Sequence, residues 1–211
     1  LRTHAFNALG FCALAEAGES YARDGVHHVL TQVHDAYKHE ARSDWTWFEP
    51  VLGYDNARLP QALMRGGMLL DDAHFRNAGL STMMWLTDVQ TAPSGRFRPV
   101  GHQSFGRAYE MPAQFDQQPL EAAATIDACW AAFDMSGESR WRQEAYRAFA
   151  WFLGENDLKA RLADTEHGGC FDGLGPEGPN KNQGAESILS YQLAVCSMRV
   201  RERTRGAAPA F

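Results

Sequence analysis

The sequence predicts an all-α chain built of stacked helical hairpins. Three observations carry that prediction. Apolar residues recur at i, i+3/i+4 and i+7 in one segment after another, no β-branched alternating run of useful length appears, and the connections between helical segments alternate short and long. The elements follow in order. A first, less regular helix covers about residues 4 to 17 and turns through Ala17-Gly18-Glu19-Ser20 into a second, marked by Val26, Leu30, Val33 and Tyr37. A long connection, about 41 to 59, leads to a third helix at 60 to 70, where Pro60 suits a first helical turn. The short Leu70-Asp71-Asp72-Ala73 turn gives a fourth at 74 to 89, and a second long connection spans 90 to 118. Ile126, Cys129, Trp130 and Phe133 mark a fifth helix, and Ser136-Gly137-Glu138-Ser139 turns it into a sixth with Trp141, Ala145, Ala148, Phe149 and Phe152 on one face. Gly154 stops that helix, a third long connection runs from 154 to 184, and a seventh helix follows at 185 to 201. Gly-Glu-Ser at 18 to 20 and again at 137 to 139 is the trace of a helical-hairpin repeat. Hairpins stacked side by side put short turns on one rim and long loops on the other, and the long-loop rim is the expected functional face.

Composition narrows the class. At 211 residues, with 45% apolar and 22% charged residues, the chain is long enough for a full core, and one domain over 1–211 is expected. A net charge of −6, with only the Arg199, Arg201, Arg203, Arg205 alternation as a basic run, argues against nucleic acid as a partner. The apolar stretches are broken well before the roughly 20 residues a bilayer requires, and no leader pattern opens the chain, so a soluble, cytoplasmic protein is expected. Cys12, Cys129, Cys170 and Cys196 are far apart and read as buried free thiols rather than a disulfide framework. The chain begins at Leu1 rather than Met, which suggests a fragment, or a chain shortened by processing or disorder.

The chemistry concentrates in the long connections. Asp44-Trp45-Thr46-Trp47-Phe48-Glu49 and Tyr54-Asp55-Asn56-Ala57-Arg58 combine indoles, carboxylates, an amide and a guanidinium, the groups that grip a sugar: aromatic faces cover its C–H side and polar groups satisfy its hydroxyls. The mixture recurs at Phe115-Asp116-Gln117-Gln118 and Asn180-Lys181-Asn182-Gln183-Gly184-Ala185-Glu186. Glycosidic cleavage needs two carboxyls, one protonated and one ionised. Glu49, beside Trp47 and Phe48, is the expected acid, and Asp116 or Glu186 the base or nucleophile. Trp45, Trp47, Tyr54, Asp55, Asn56, Arg58, Gln117, Gln118, Asp172, Asn182 and Gln183 are the expected substrate contacts, with Glu121 a sixth rim carboxylate. The competing reading is that these carboxylates cap helices and tie loops down. Trp45 and Trp47, two apart, point oppositely in an extended loop, so one of them is expected to meet ligand. Trp130 and Trp141 read as core. No histidine pattern suggests a metal, and no glycine pattern suggests a nucleotide, so no cofactor is expected. Among the eight histidines, His102 and His167 are the ones placed for proton transfer, while Cys170 reads as a packed loop thiol.

The strings Asp44-Trp45-x-Trp47-Phe48-Glu49, Tyr54-Asp55-Asn56-Ala57-Arg58-Leu59-Pro60, Pro99-Val100-Gly101, Phe115-Asp116-Gln117-Gln118-Pro119-Leu120-Glu121-Ala122, Trp151-Phe152-Leu153-Gly154-x-Asn156-Asp157, Gly168-Gly169-Cys170-x-Asp172-Gly173-Leu174 and Asn182-Gln183-Gly184-Ala185-Glu186-Ser187 span about 44 to 190. In them the chain resembles a bacterial α/α-toroid domain found beside or fused to glycosyltransferases and sugar phosphorylases. More distantly it is similar to (α/α)6 glycoside hydrolases, lyases and N-acylglucosamine 2-epimerases, whose sites lie at the loop rim. The resemblance implies an α/α-hairpin toroid and an oligosaccharide or sugar substrate. Glycoside hydrolase-like cleavage is the expected activity. The alternatives are a noncatalytic glycan-binding or scaffold module of a glycosyltransferase system and a 2-epimerase-like isomerase using His102 or His167. A closed toroid of six hairpins needs twelve helices, so about seven imply an open arc, absent upstream hairpins, or completion by a second chain, as in a homo-oligomer or an assembly with a glycosyltransferase.

Overall fold

A computed structural model describes residues 1–203, and Arg205 of the basic alternation lies outside the described residues. The helices are α1 (Arg2–Glu16), α2 (Ala22–Glu40), α3 (Arg58–Leu70), α4 (Ala73–Val89), α5 (Pro119–Ser136), α6 (Ser139–Phe152) and α7 (Ala185–Arg203). A single 3₁₀ turn, His102–Ser104, interrupts the second long connection. The third holds a two-stranded antiparallel hairpin, β1 (Gly173–Gly175) with β2 (Gly178–Asn180), Leu174 facing Pro179. The glycine- and proline-rich hairpin has no strand composition and escapes a pattern search.

Turn chemistry sets the helix ends. Gly18 at φ 100° and Gly137 at φ 71° take the left-handed conformation that closes the first and third hairpins. Asp71, φ 56°, does the same for α3, and Asp72 caps α4 by accepting from the His74 and Phe75 N–H groups at 2.8 and 3.3 Å. Pro119 occupies the first turn of α5.

The helices form two layers. α1 packs on α2, α3 on α4 and α5 on α6 as hairpins, while α1, α3, α5 and α7 pack successively on one another. The odd-numbered helices are thus an inner layer and α2, α4 and α6 an outer one. α5 is flanked by α3, α4, α6 and α7 and buries residues on nearly every side, as a helix apolar all round must. Close crossing requires small residues: a Cβ on Gly79 of α4 would meet Met64 Cγ at 2.7 Å and the Pro60 carbonyl oxygen at 3.0 Å. The core runs between the layers and includes Trp130 and Trp141.

One consequence places the site. α3, α5 and α7 each begin at the end of a long connection, so their N-termini all open onto the same rim. The long connections pack on one another there, Val51 bridging to Ala108 and Gln117 to Leu174. No described helix is long and apolar enough to cross a membrane.

Candidate functional site

A cleft of about 530 Å³ opens on this rim between the Asp116–Gln118 segment, the β1–β2 hairpin and the start of α7. Asp116, Asp172, Glu177 and Glu186 bring carboxyls to it, with Gln118, Asn180 and Ser187 as further polar lining. Local geometry aims each one. Asp116 has φ 64°, a left-handed conformation that aspartate tolerates better than most residues. Its carbonyl oxygen accepts from the His102 N–H at 2.9 Å, and its carboxylate lies 3.1 Å from His102 Nδ1. Gly101 makes that approach possible, because a Cβ there would collide with the Phe115 carbonyl oxygen. On the other side Gln117 exchanges backbone hydrogen bonds with Leu174 at 3.1 and 2.8 Å, locking the loop to the hairpin.

Asp172 faces the opposite wall. Burial pushes its pKa up, but hydrogen bonds from Asn182 Nδ2, the Gly184 N–H and Ser187 outweigh that and hold the carboxyl below its usual range. It therefore fastens the loop to the first turn of α7. Glu186, one residue inside that helix, remains exposed.

The structure brings Asp116, Gln118, Asp172 and Glu186 to one cleft and leaves other expected contacts elsewhere. Glu49 pairs with Arg2 and lines a separate shallow depression with Thr3, Val51, Gly53 and Tyr54. The acid role expected of it has no place in the cleft. Trp45 and Trp47 are both buried, packed against Trp85 edge-to-face and tilted with centroids 4.9 and 5.6 Å away, and Trp45 Nε1 donates to the Glu49 carbonyl at 2.7 Å. Neither offers a face to a sugar. The reason is the second long connection, which brings Tyr109 over Trp45 at 5.8 Å and covers the side an isolated loop would expose.

Asp55, Asn56 and Arg58 are likewise structural. Asn56 is fully buried: its carbonyl accepts from Arg2 at 2.8 Å and Gly53 N at 3.1 Å, and its amide donates to the Gly53 carbonyl and Glu121 at 2.6 and 3.1 Å. Glu121 also accepts from the backbone N–H groups of Asp55 and Asn56. Arg58 bridges Asp55 at 3.3 Å and Asp127 at 2.8 Å. Gln117 is fully buried as well, accepting from Trp151 Nε1 and donating to Asp157, each at 2.7 Å. Asn182 is held on Asp172, and Gln183 packs its amide oxygen against Gly169. Tyr54 is half exposed but lies in the Glu49 depression.

Glu177 and Ser187 also line the cleft without having been among the expected contacts, and Asn180 was expected only as part of the 180–186 segment. The signal for Glu177 was its place in Gly175-Pro176-Glu177-Gly178-Pro179, a turn composition that presents one charged side chain at a loop tip. His167 lies 2.9 Å from Asp164 and does not line the cleft. Cys170 is buried, its thiol pushed up to about 12 by burial and then by Asp172, which disfavours the thiolate a nucleophile needs. Cys12 and Cys129 are buried too, whereas Cys196 is exposed, against expectation. Among the described residues no group of three or more His, Cys, Asp or Glu side chains is placed to hold a metal ion.

No protein-family model matches the chain, and no curated protein matches it. Solved structures do. A GH76 alpha-mannanase of Bacteroides thetaiotaomicron superposes over 97% of this chain with a TM-score of 0.63 at 12% identity. A family 76 glycoside hydrolase from a bovine strain of the same species superposes over 96% with a TM-score of 0.64 at 13% identity. The matches cover 52% and 42% of those chains, so this chain spans about half their length. At such identity the likeness shows the fold: an α/α arc of the kind that builds helical-toroid glycoside hydrolases.

Proposed function

We propose that the chain is a carbohydrate-active domain that cleaves an oligosaccharide in the rim cleft by glycoside hydrolase-like chemistry. Asp116 and Glu186 are the carboxyl pair, and Gln118, Asn180 and Ser187 hold hydroxyls. One observation supports this above all: carboxyls from separate segments of the chain converge on one cleft at the loop rim of a fold otherwise seen in glycoside hydrolases. Asp172, already hydrogen-bonded to α7, positions the wall that carries Glu186. Hydrolysis needs one carboxyl to protonate the leaving oxygen while the other attacks the anomeric carbon or activates water. His102, in contact with Asp116, orients that carboxylate.

The test is incubation with a panel of oligosaccharides that includes α-mannans, with product analysis by mass spectrometry and NMR. Asp116→Asn and Glu186→Gln should each lower turnover by about 10²-fold or more while leaving binding within a few-fold. Full turnover in both variants would remove the assignment.

A second reading is a noncatalytic glycan-binding module, in a glycosyltransferase system or elsewhere: the carboxylates, amides and hydroxyl of the cleft can hold a sugar's hydroxyls without cleaving it. The lining weighs against tight binding, since among the described residues no aromatic side chain faces the cleft to stack on a ring. Such a module would give chemical-shift changes with oligosaccharide, retained in both variants, and no product after long incubation. An epimerase-like reaction through His102 would instead place solvent deuterium on a sugar carbon.

A further inference from the structure

Between His102 and Asp116 the second long connection folds back on itself. Its ends meet where the His102 N–H donates to the Asp116 carbonyl at 2.9 Å. Its middle is tied across by Ser104, a buried residue whose hydroxyl accepts from the Ala113 N–H at 2.7 Å. This is an Ω-loop, a compact excursion with its ends together, and such loops are frequently functional. It carries the cleft carboxylate Asp116 at its neck and Tyr109 at its tip.

Neck and tip each hold a non-glycine residue in the left-handed region, Asp116 at φ 64° and Tyr109 at φ 56°. Aspartate tolerates that conformation; a bulky tyrosine adopts it only where its surroundings hold it there. What holds Tyr109 is the chain leaving α2. The phenol donates to Glu40 Oε1 at 2.6 Å, the Arg42 guanidinium lies over the ring at 3.7 Å, and the ring meets Trp45 edge-on at 5.8 Å. The backbone adds a hydrogen bond from the Tyr109 N–H to the Pro50 carbonyl at 2.7 Å. Trp45 is itself buried against Trp85, so the tip is anchored on the core.

The neck has no such packing of its own. The Asp116 side chain is 45% exposed and that of its partner His102 63%. Gln117, bonded to Leu174, fixes the Asp116 segment from the hairpin side, which leaves the loop to fix it from the other. We propose that Tyr109 is a positioning residue for Asp116: by clamping the loop tip to Glu40, Arg42 and Trp45 it sets where the neck presents that carboxyl in the cleft. The inference rests on the reading of Asp116 as one of the carboxyl pair, and a shift of about 1 Å at such a group can cost a hundredfold in rate.

Two substitutions separate side chain from backbone. Tyr109→Gly removes the clamp and relieves the left-handed strain, whereas Tyr109→Phe keeps the ring and removes the hydroxyl. On an oligosaccharide that the chain cleaves, Tyr109→Gly should lower kcat by about tenfold or more and leave KM within about twofold, with a smaller loss in Tyr109→Phe. Glu40→Ala should reproduce the Tyr109→Phe loss, the two together should lose no more than either alone, and Glu40→Gln, which keeps an acceptor, should retain most of the rate. Independently of turnover, the His102 amide that closes the neck should exchange about tenfold faster or more in Tyr109→Gly, while amides of α5 and the far-ultraviolet circular dichroism stay unchanged. A Tyr109→Gly variant with full kcat overturns the proposal, as does His102 exchange that ignores Tyr109. If the unaltered chain cleaves nothing while His102 exchange still responds to Tyr109, the catalytic reading fails and the clamp on Asp116 stands.

Discussion

Glu121 lies in the first turn of α5 with no exposed surface, and its pKa is pushed up from 4.5 to about 7, first by burial and then by the neighbouring Asp55 carboxylate. Hydrogen bonds from Asp55 and Asn56 pull the other way and lose. The folded state therefore binds this proton more tightly than the unfolded chain does. Its contribution to stability is full below about pH 4.5 and is lost as pH rises through about 7. Asp157 and Asp172, held below their usual range, have the opposite sign: their contributions exist at neutral pH and vanish in acid. Glu121→Gln removes the first effect alone. Urea unfolding from pH 5 to 8 should show the decline in stability shrinking in that variant, and an undiminished decline would refute the role. Glu121→Ala should cost about 1–3 kcal/mol, because it strands buried donors of Asp55 and Asn56. The same residues explain a limit of sequence reading. Asp55, Asn56 and Arg58 have the composition of a sugar site and also that of a buried anchor. What separates the two is a carboxylate 65 residues away in sequence, a pairing that no local pattern contains.

Among the elements, the short turns were legible and the long connections only partly so. Gly18, Gly137 and the Asp71-Asp72 pair announce their hairpins because left-handed and capping positions restrict residue choice. In the long connections, location could be inferred and contacts could not, since loops fold against one another and not against a repeating pattern. Trp45 and Trp47 show this: alternate positions on an extended segment should point apart, yet both are covered once Tyr109 and Trp85 arrive from elsewhere. The carboxylates Asp116 and Glu186 did meet in one cleft, because the segments that carry them directly precede or open inner helices. Gly101 is the element-scale test of that cleft. Gly101→Ala drives a methyl into the Phe115 carbonyl and must push the Asp116 segment away from the His102 turn. The expected result is a stability loss of about 1–3 kcal/mol, with turnover or saccharide binding falling by about a hundredfold through misplacement of Asp116. Unchanged function in a folded Gly101→Ala variant would detach this loop from the site.

At the scale of the whole molecule, the arc of inner helices behaves as a short repeat array in which each helix is stabilised by its neighbours. α5 has four helical neighbours, whereas α1 packs on α2 and α3, and α7 on α5 and α6. Opening an edge helix exposes one packed face, while opening α5 exposes nearly all of its surface and separates both halves of the core. Local stability should therefore fall from the centre of the arc to its ends. Native-state hydrogen exchange makes this concrete: amides in the middle of α5 should exchange only by global unfolding, and those of α1 and α7 through openings of lower free energy. Uniform protection across all the helices would mean that the arc unfolds as one unit.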